Sequence, residues 1–275
     1  MNGKLYLVAT PIGNLDDITL RAINVLKDVD LIAAEDTRHT LKLLNHLEIK
    51  KSLISYHRHN EEIKSDILIE KLKEGQNIAV VSDAGTPGIS DPGEEIVKEC
   101  ILNNIEIIPI PGACAAINAL IASGLDTKEF VFYGFLSINK KIRQEKLEKI
   151  KNENKTIILY EAPHKIIKTL QDLSKVLENR KIVIARELTK IHEEFIRGNI
   201  NDILENYSEP KGEHIILIEG NNCENKNNNE LNNLSEEELF KFYEKQGMKK
   251  NDIIKKIAKD KGVSKNEIYM KFINK

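Results

Sequence analysis

The sequence predicts an α/β protein: a largely parallel sheet covered by helices, a second α/β half with a more mixed sheet, and a small helical unit at the end. Three observations carry this. Short apolar runs alternate with amphipathic stretches from Leu5 to Gly220. Two of these runs lead into turns of very small residues, Ser82-Asp83-Ala84-Gly85-Thr86-Pro87-Gly88-Ile89-Ser90-Asp91-Pro92-Gly93 and Pro111-Gly112-Ala113-Cys114. An Asn-rich stretch, Asn221 to Asn233, then sets off a lysine-rich end.

Leu5-Tyr6-Leu7-Val8 reads as the first strand, and the residues around it are too short and polar for a signal peptide. Thr10-Pro11-Ile12-Gly13-Asn14 is a turn, followed by a helix from Leu20 to Leu26. Asp30 to Ala34 is strand-like, Thr37 to Leu47 helical and Ser52 to Tyr56 extended. Glu61 to Leu72 is a helix with Ile63, Ile67, Leu68 and Leu72 on one face. Ile78 to Val81 and Ile105 to Ile110 are buried strands, each leading into a small-residue turn and a helix. A second set begins near Ser123-Gly124, with strands at Phe130 to Leu136, Thr156 to Tyr160, Lys181 to Ala185 and His214 to Ile218. Helices from Lys140 to Lys151 and up to Leu177 lie between them. The chain thus divides into residues 1–122, 123–220, a linker at 221–234 and a helical unit at 235–275. In that last unit Ser235 with Glu238, and Ser264 with Glu267, form capping-box patterns. Ile253, Ile254, Ile257 and Ala258 make an apolar stripe, and Gly262-Val263 turns the chain. Such a helix-turn-helix-like shape serves either nucleic-acid binding or plain packing.

The net charge of −2 conceals an asymmetry. Lys241 to Lys275 holds eleven lysines against four acidic residues, a net of +7, which leaves −9 on residues 1–240. Clustered lysines suit phosphate contact, and they also suit a solvated helix face. No apolar run is long enough to span a membrane. Cys100, Cys114 and Cys223 are scattered, with neither metal spacing nor a disulfide framework, which fits a reducing cytoplasm. Cys114 reads as a small packed thiol more readily than as a nucleophile.

Walker, Rossmann, zinc-protease and nucleophile-elbow patterns are absent. What remains is a set of turns at strand ends, where α/β sheets bind ligands. Gly85 and Gly88 allow close approach to backbone, and Pro87 and Pro92 stiffen the loop. Asp83 can accept from a ligand or cap its own turn. Ala34-Glu35-Asp36-Thr37-Arg38 ends another strand; capping by Asp36 or Thr37 leaves Glu35 and Arg38 unexplained. His164 with Lys165, and Arg186 with Glu187, form a second polar group at later strand ends. For a proton acceptor the candidates are Glu187 and Glu35, then His164, with Arg186, Lys165 and Arg38 orienting phosphate or polarising a hydroxyl.

Taken together, Leu7 to Leu15, Ala34 to Arg38, Ser82 to Gly93, Pro109 to Gly112, Tyr160 to Lys165 and Ala185 to Lys190 resemble the 16S rRNA (cytidine-2′-O)-methyltransferases of the tetrapyrrole-methylase superfamily. The resemblance implies a two-domain, class III methyltransferase fold and a homodimer. S-adenosylmethionine is the implied methyl donor, leaving S-adenosylhomocysteine, and no metal is implied. The implied substrate is the ribose 2′-hydroxyl of a cytidine in the decoding region, on 16S rRNA or the small ribosomal subunit. Carried over position by position, the donor would meet Pro11, Gly13, Asp83, Ala84, Gly85, Thr86 and Ala113 from the first half. From the second it would meet Tyr160, Glu161, Ala185, His214 and Ile215. Arg38, Lys249, Lys250, Lys255, Lys256 and Lys265 are the candidate RNA contacts. Two rivals remain: a methylase of precorrin-type macrocycles, and a non-catalytic RNA-binding protein.

Overall fold

The computed structural model describes residues 2–207, 211–221, 234–245, 247–261 and 263–273. Two compact units emerge, Met1–Gly220 and Asn221–Lys275.

The first unit opens with five short strands: β1 (Leu5–Val8), β2 (Leu31–Ala34), β3 (Ser52–Ser55), β4 (Ile78–Val81) and β5 (Ile107–Ile110). They pair in the order β3-β2-β4-β1-β5, all parallel. A parallel sheet needs cover on both faces, and the strand alternation supplies two sets of apolar side chains. Ile78 and Val80 face one core with Leu68, Leu72, Ile96 and Cys100, from α3 (Glu61–Lys73) and α4 (Glu94–Leu102). Ala79 and Val81 face the other with Ala22, Leu26 and Leu44, from α1 (Leu20–Asp28) and α2 (Thr37–His46). The helices that follow the adjacent strands β1 and β4, α1 and α4, therefore lie on opposite faces. Their connecting turns part at that point and open a crevice at the strand ends.

Helix α3 departs from the expected face. Ser65, Leu68, Ile69 and Leu72 are buried, whereas Ile63 and Ile67 are exposed. Apolar residues lie all round this helix, so periodicity left its rotation open. The Ser65 hydroxyl, 3.2 Å from the buried Tyr56 hydroxyl, sets it.

The second sheet holds β6 (Phe130–Phe135), β7 (Thr156–Glu161), β8 (Lys181–Arg186), β9 (Glu194–Asn199) and β10 (His214–Ile218), in the order β6-β7-β10-β8-β9. Only the β6–β7 pair is parallel, so this sheet is mixed. One face packs on α6 (Lys140–Asn152), α7 (Ile166–Leu177) and α8 (Ile200–Asn206). The other face is covered by α5 (Ala115–Ser123), whose Ala116, Ala119 and Leu120 lie against Ile158, Val183, Ile215 and Leu217. Helix α5 leaves a turn of the first sheet yet roofs the second.

In the second unit the described residues form α9 (Glu236–Lys245), α10 (Lys250–Lys261) and α11 (Lys265–Ile273). Their core is Leu239, Tyr243, Ile253, Ile254, Ile257, Ile268 and Phe272. Both expected helix starts are capped: the Ser235 N–H donates to Glu238 at 2.7 Å and the Glu238 N–H to Ser235 at 3.3 Å, while the Glu267 N–H donates to Ser264 at 3.2 Å. Cys223, most of the expected linker and Gly262 lie outside the described residues.

Candidate active site

The turns after the parallel strands are tied to one another. Thr10 and Gly85 exchange both backbone hydrogen bonds, at 2.8 and 3.0 Å, and the Thr10 hydroxyl donates to the Ser82 carbonyl at 3.2 Å. Gly85 sits at φ +82°, and a Cβ there would meet Ile12 at 3.3 Å, so bare backbone is required. The Thr86 hydroxyl donates to the Ala113 carbonyl at 3.0 Å, joining the two small-residue turns. Asp83 does not cap its own turn; it accepts the Asp36 N–H at 3.0 Å. Glu35 in turn accepts the Asp83 N–H at 3.4 Å.

The facing wall comes from the second sheet. Register places Tyr160, Ile215 and Ala185 abreast, and likewise Glu161, His214 and Arg186. The Tyr160 hydroxyl accepts the Ala116 N–H at 3.1 Å, and Phe132 and Phe135 stand edge-on to its ring. Glu161 is buried. Its carboxylate accepts the Ala162 N–H at 2.9 Å and the Thr169 hydroxyl at 2.6 Å. Arg143 backs this pair, donating to Thr169 at 2.8 Å and to Asp172 at 3.0 Å. His214 is buried, with Nε2 2.5 Å from the Tyr207 hydroxyl; burial and the nearby Arg186 lower its pKa.

Between these walls lies a cleft of about 370 Å³, near the lower end of the range of about 300–1,000 Å³ for small-molecule sites. It brings together Glu35, Asp83, Ala84, Gly85 and Thr86 with Tyr160, Glu161, Glu187, His214 and Ile215. Pro11, Gly13, Ala113, Ala185, Arg186, His164 and Lys165 do not line it. Gly13 abuts the facing turn, where a Cβ would lie 2.7 Å from Lys190 Cγ and 2.9 Å from the Leu188 carbonyl. Ala185 is buried in the sheet. Arg186 pairs with Glu194 at 2.5 Å, and His164 is exposed. Arg38 grips its own helix cap, reaching Asp36 at 3.0 and 2.6 Å. Asp91, Glu213, Phe135 and Cys114 line the cleft without having been singled out as site residues. Asp91 lay inside the Ser82–Gly93 run, where its proximity to Glu35 could not be read locally.

The cleft is strongly acidic. Glu35, Asp83, Asp91, Glu161, Glu187 and Glu213 line it along with Lys190, whose Nζ is 2.9 Å from Glu187. Burial raises the Glu35 pKa. Burial, with Glu35 next and Asp83 and Glu213 adding, lifts Asp91 to about 7 against the pull of Arg58.

Residues 4–204 match the family model described as Tetrapyrrole (Corrin/Porphyrin) Methylases. The chain belongs to that family. Among its relatives are proteins named ribosomal RNA small subunit methyltransferase I. The one from Synechocystis sp. is 49% identical over 97% of this chain and 96% of its own length. That from Halalkalibacterium halodurans is 50% identical over 97% and 93%. A uroporphyrin-III C-methyltransferase from Thermus thermophilus, complexed with S-adenyl homocysteine, shares the fold at a TM-score of 0.55. It is 15% identical, with 79% of this chain and 97% of that one covered. The chain is therefore a methyltransferase with the two-sheet, class III methyltransferase fold, extended by a small helical unit.

Proposed function

We propose that this protein transfers the methyl group of S-adenosylmethionine to small-subunit ribosomal RNA, at the ribose 2′-hydroxyl of a cytidine in the decoding region of 16S rRNA. The observation that carries the reading is an acidic, backbone-lined cleft in a chain about half identical, over nearly its whole length, to proteins named for that RNA. The cleft suits the donor: carboxylates meet a sulfonium, an ammonium and ribose hydroxyls, while Ile12, Phe135, Tyr160 and Ile215 offer apolar surface to a base. S-adenosylmethionine supplies an electrophilic methyl carbon and leaves as a neutral thioether.

Asp83, Ala84, Gly85 and Thr86 hold one side of the donor and Tyr160, Glu161, His214 and Ile215 the other. Pro11, Gly13, Ala113 and Ala185 support these walls from behind. Their cross-links fix the cleft before binding, so orientation supplies much of the rate. An acidic cleft repels phosphate, so the RNA backbone is held elsewhere. Lys249, Lys250, Lys255, Lys256 and Lys265 are all exposed and, with Arg38, provide that grip. We place the division of the chain at residues 122/123 and 221–234, and infer a homodimer acting in the cytoplasm. The exposed Ile117 and Ile121 on α5 support a partner surface. No helix among the described residues is long and apolar enough to cross a membrane.

Incubation with labelled donor and either 16S rRNA, intact small subunits or a precorrin-type macrocycle, followed by mass mapping, tests the reading. Methylation of one cytidine ribose is expected. Methylation of the macrocycle alone would replace the reading with the rival.

A further inference from the structure

We propose that the rim where β6 and β7 end is the seat of the acceptor nucleotide: Phe135 stacks on the target base, and Lys140, Lys141 and Lys165 meet the phosphates beside it. The proposal rests on the methyl-transfer reading above and names what holds the target nucleotide in place. Two demands of that chemistry call for such a site. A ribose hydroxyl within stacked RNA cannot enter a narrow cleft, so its nucleotide must be splayed out and the lost stacking replaced by a side chain. The 3′-phosphate hangs on the carbon next to the one that bears the reacting hydroxyl, so it comes to the mouth of a cleft whose carboxylates repel it.

Strand β6 is built to aim a ring at the mouth. Successive side chains of a strand point to opposite faces, which would send Phe132 and Phe135 apart. The register with β7 shifts between Phe132 and Gly134, leaving Tyr133 as the extra residue of a bulge, and Gly134 takes φ +61°. Both phenylalanines therefore stand edge-on to Tyr160, at 5.0 and 5.7 Å between ring centres. Bulges beside a site re-aim side chains in this way. Phe132 packs into the core with Tyr160 and Ile215, the inner wall that the reading above gives to the donor. Phe135 stands outside that wall on the edge strand, lining the cleft with 56% of its surface exposed. A bulge that turns a phenylalanine into water gains little packing from it; a stacked base supplies the missing partner.

The cations stand beside this ring. Strands β6 and β7 run parallel with Phe135 opposite Tyr160, so the turns that leave them lie side by side. The first leads to Lys140 and Lys141 at the start of α6, where Asn139 accepts the Lys141 and Ile142 N–H groups at 3.0 and 3.4 Å. The second carries Ala162 and Pro163 in the cleft wall and then Lys165. Arg143 is turned inward to Asp172 and Thr169, whereas Lys140 and Lys141 are exposed and Lys165 is half-buried. Among the described residues none of these three lysines pairs with a carboxylate. Other cations near the cleft are engaged: Lys190 with Glu187, Arg186 with Glu194 and Arg58 with the Ser90 carbonyl. An apolar ring flanked by uncommitted lysines is the pairing that a splayed nucleotide requires.

The test uses the full chain with saturating labelled donor and, as acceptors, 16S rRNA and small ribosomal subunits. Phe135→Leu should lower kcat/KM for the RNA by about 5- to 150-fold, the worth of one base stacked on an aromatic ring. Calorimetric affinity for S-adenosylhomocysteine should stay within about threefold of wild type, and the melting temperature should hardly move, because the ring is exposed. Phe135→Tyr, which keeps the ring, should restore methylation. Replacing Lys140 and Lys141 together with Gln should flatten the log–log salt dependence of RNA binding by about 1.4–1.8. A Phe135→Leu variant with kcat/KM within twofold of wild type overturns the proposal and leaves the methyltransferase reading standing. A loss of donor affinity as large as the loss of rate overturns it too, by making Phe135 part of the donor wall. A fall in self-association measured by sedimentation, in step with the rate, overturns it in favour of a contact between copies of this chain. An unchanged salt slope overturns the phosphate half. If the wild type methylates no RNA, the reading and the proposal fall together.

Discussion

Asp91 makes a sharp prediction about stability. An aspartate in an unfolded chain titrates near 4, whereas burial and its acidic neighbours lift this one to about 7. Between those values the folded state holds a proton that the unfolded chain has released. Stability therefore drains as pH rises through that window, and the loss is complete above pH 7. Three units at about 1.4 kcal/mol each give an upper limit of about 4 kcal/mol. Asp91 keeps contact with solvent, and screening reduces this to roughly 1–2 kcal/mol. Asp91→Asn carries no charge and should recover it at pH 8. Relief shared with Glu35, whose pKa is also raised, is part of that gain. At about 2–4 °C per kcal/mol for a unit of this size, the melting temperature should rise by roughly 2–8 °C at pH 8. At pH 4 it should be unchanged. Melts of both proteins across this range provide the assay. An equal shift at both pH values, or none at pH 8, would refute the electrostatic reasoning.

Thr169→Val cuts the link between Arg143 and Glu161 and strands buried polar groups. It should cost about 1–3 kcal/mol in urea unfolding and weaken donor binding measured by calorimetry; unchanged affinity would show that Glu161 holds its place without the link. Gly13→Ala forces the 188–190 turn away, because its Cβ would lie 2.9 Å from the Leu188 carbonyl. A stability loss of about 1–3 kcal/mol with reduced donor affinity is expected, and a variant indistinguishable from wild type counts against that contact. Replacing Lys249, Lys250, Lys255, Lys256 and Lys265 with Gln should flatten the salt dependence of RNA binding by up to about 4 in log–log slope. Donor affinity should not change, and an unaltered slope would remove the tail from the RNA interface.

The parallel sheet was legible because runs such as Ile78 to Val81 are apolar on both faces and end in turns too small to pack on anything else. The donor side of the cleft was legible for the same reason at Asp83 to Thr86. Strand β9, Glu194–Asn199, was not: Arg197 and Glu194 interrupt its apolar pattern, although it pairs as a hairpin with β8, the strand just before it. The rotation of α3 depended on one hydroxyl pair with Tyr56, which no helical period encodes. Arg186 and His164 stood beside recognisable strand ends, but the direction of a side chain is set by neighbours such as Glu194. Asp91 gained its character only when folding buried it and set it near Glu35, an effect of distance in space that no local pattern encodes.

Helix α5 bears on how this protein can be cut, permuted or rebuilt. It follows the Pro111–Cys114 turn of the first sheet, yet its Ala116, Ala119 and Leu120 seal the second. A gene split after Ser123 would leave one fragment carrying a greasy, unsatisfied helix and the other a bare sheet face. A split ahead of Pro111 would give each fragment its own cover but deprive the first of the carbonyl that Thr86 grips. Neither cut yields two self-sufficient pieces, so fragment reassembly here would report on cleft formation itself and would make a natural basis for a donor-responsive sensor.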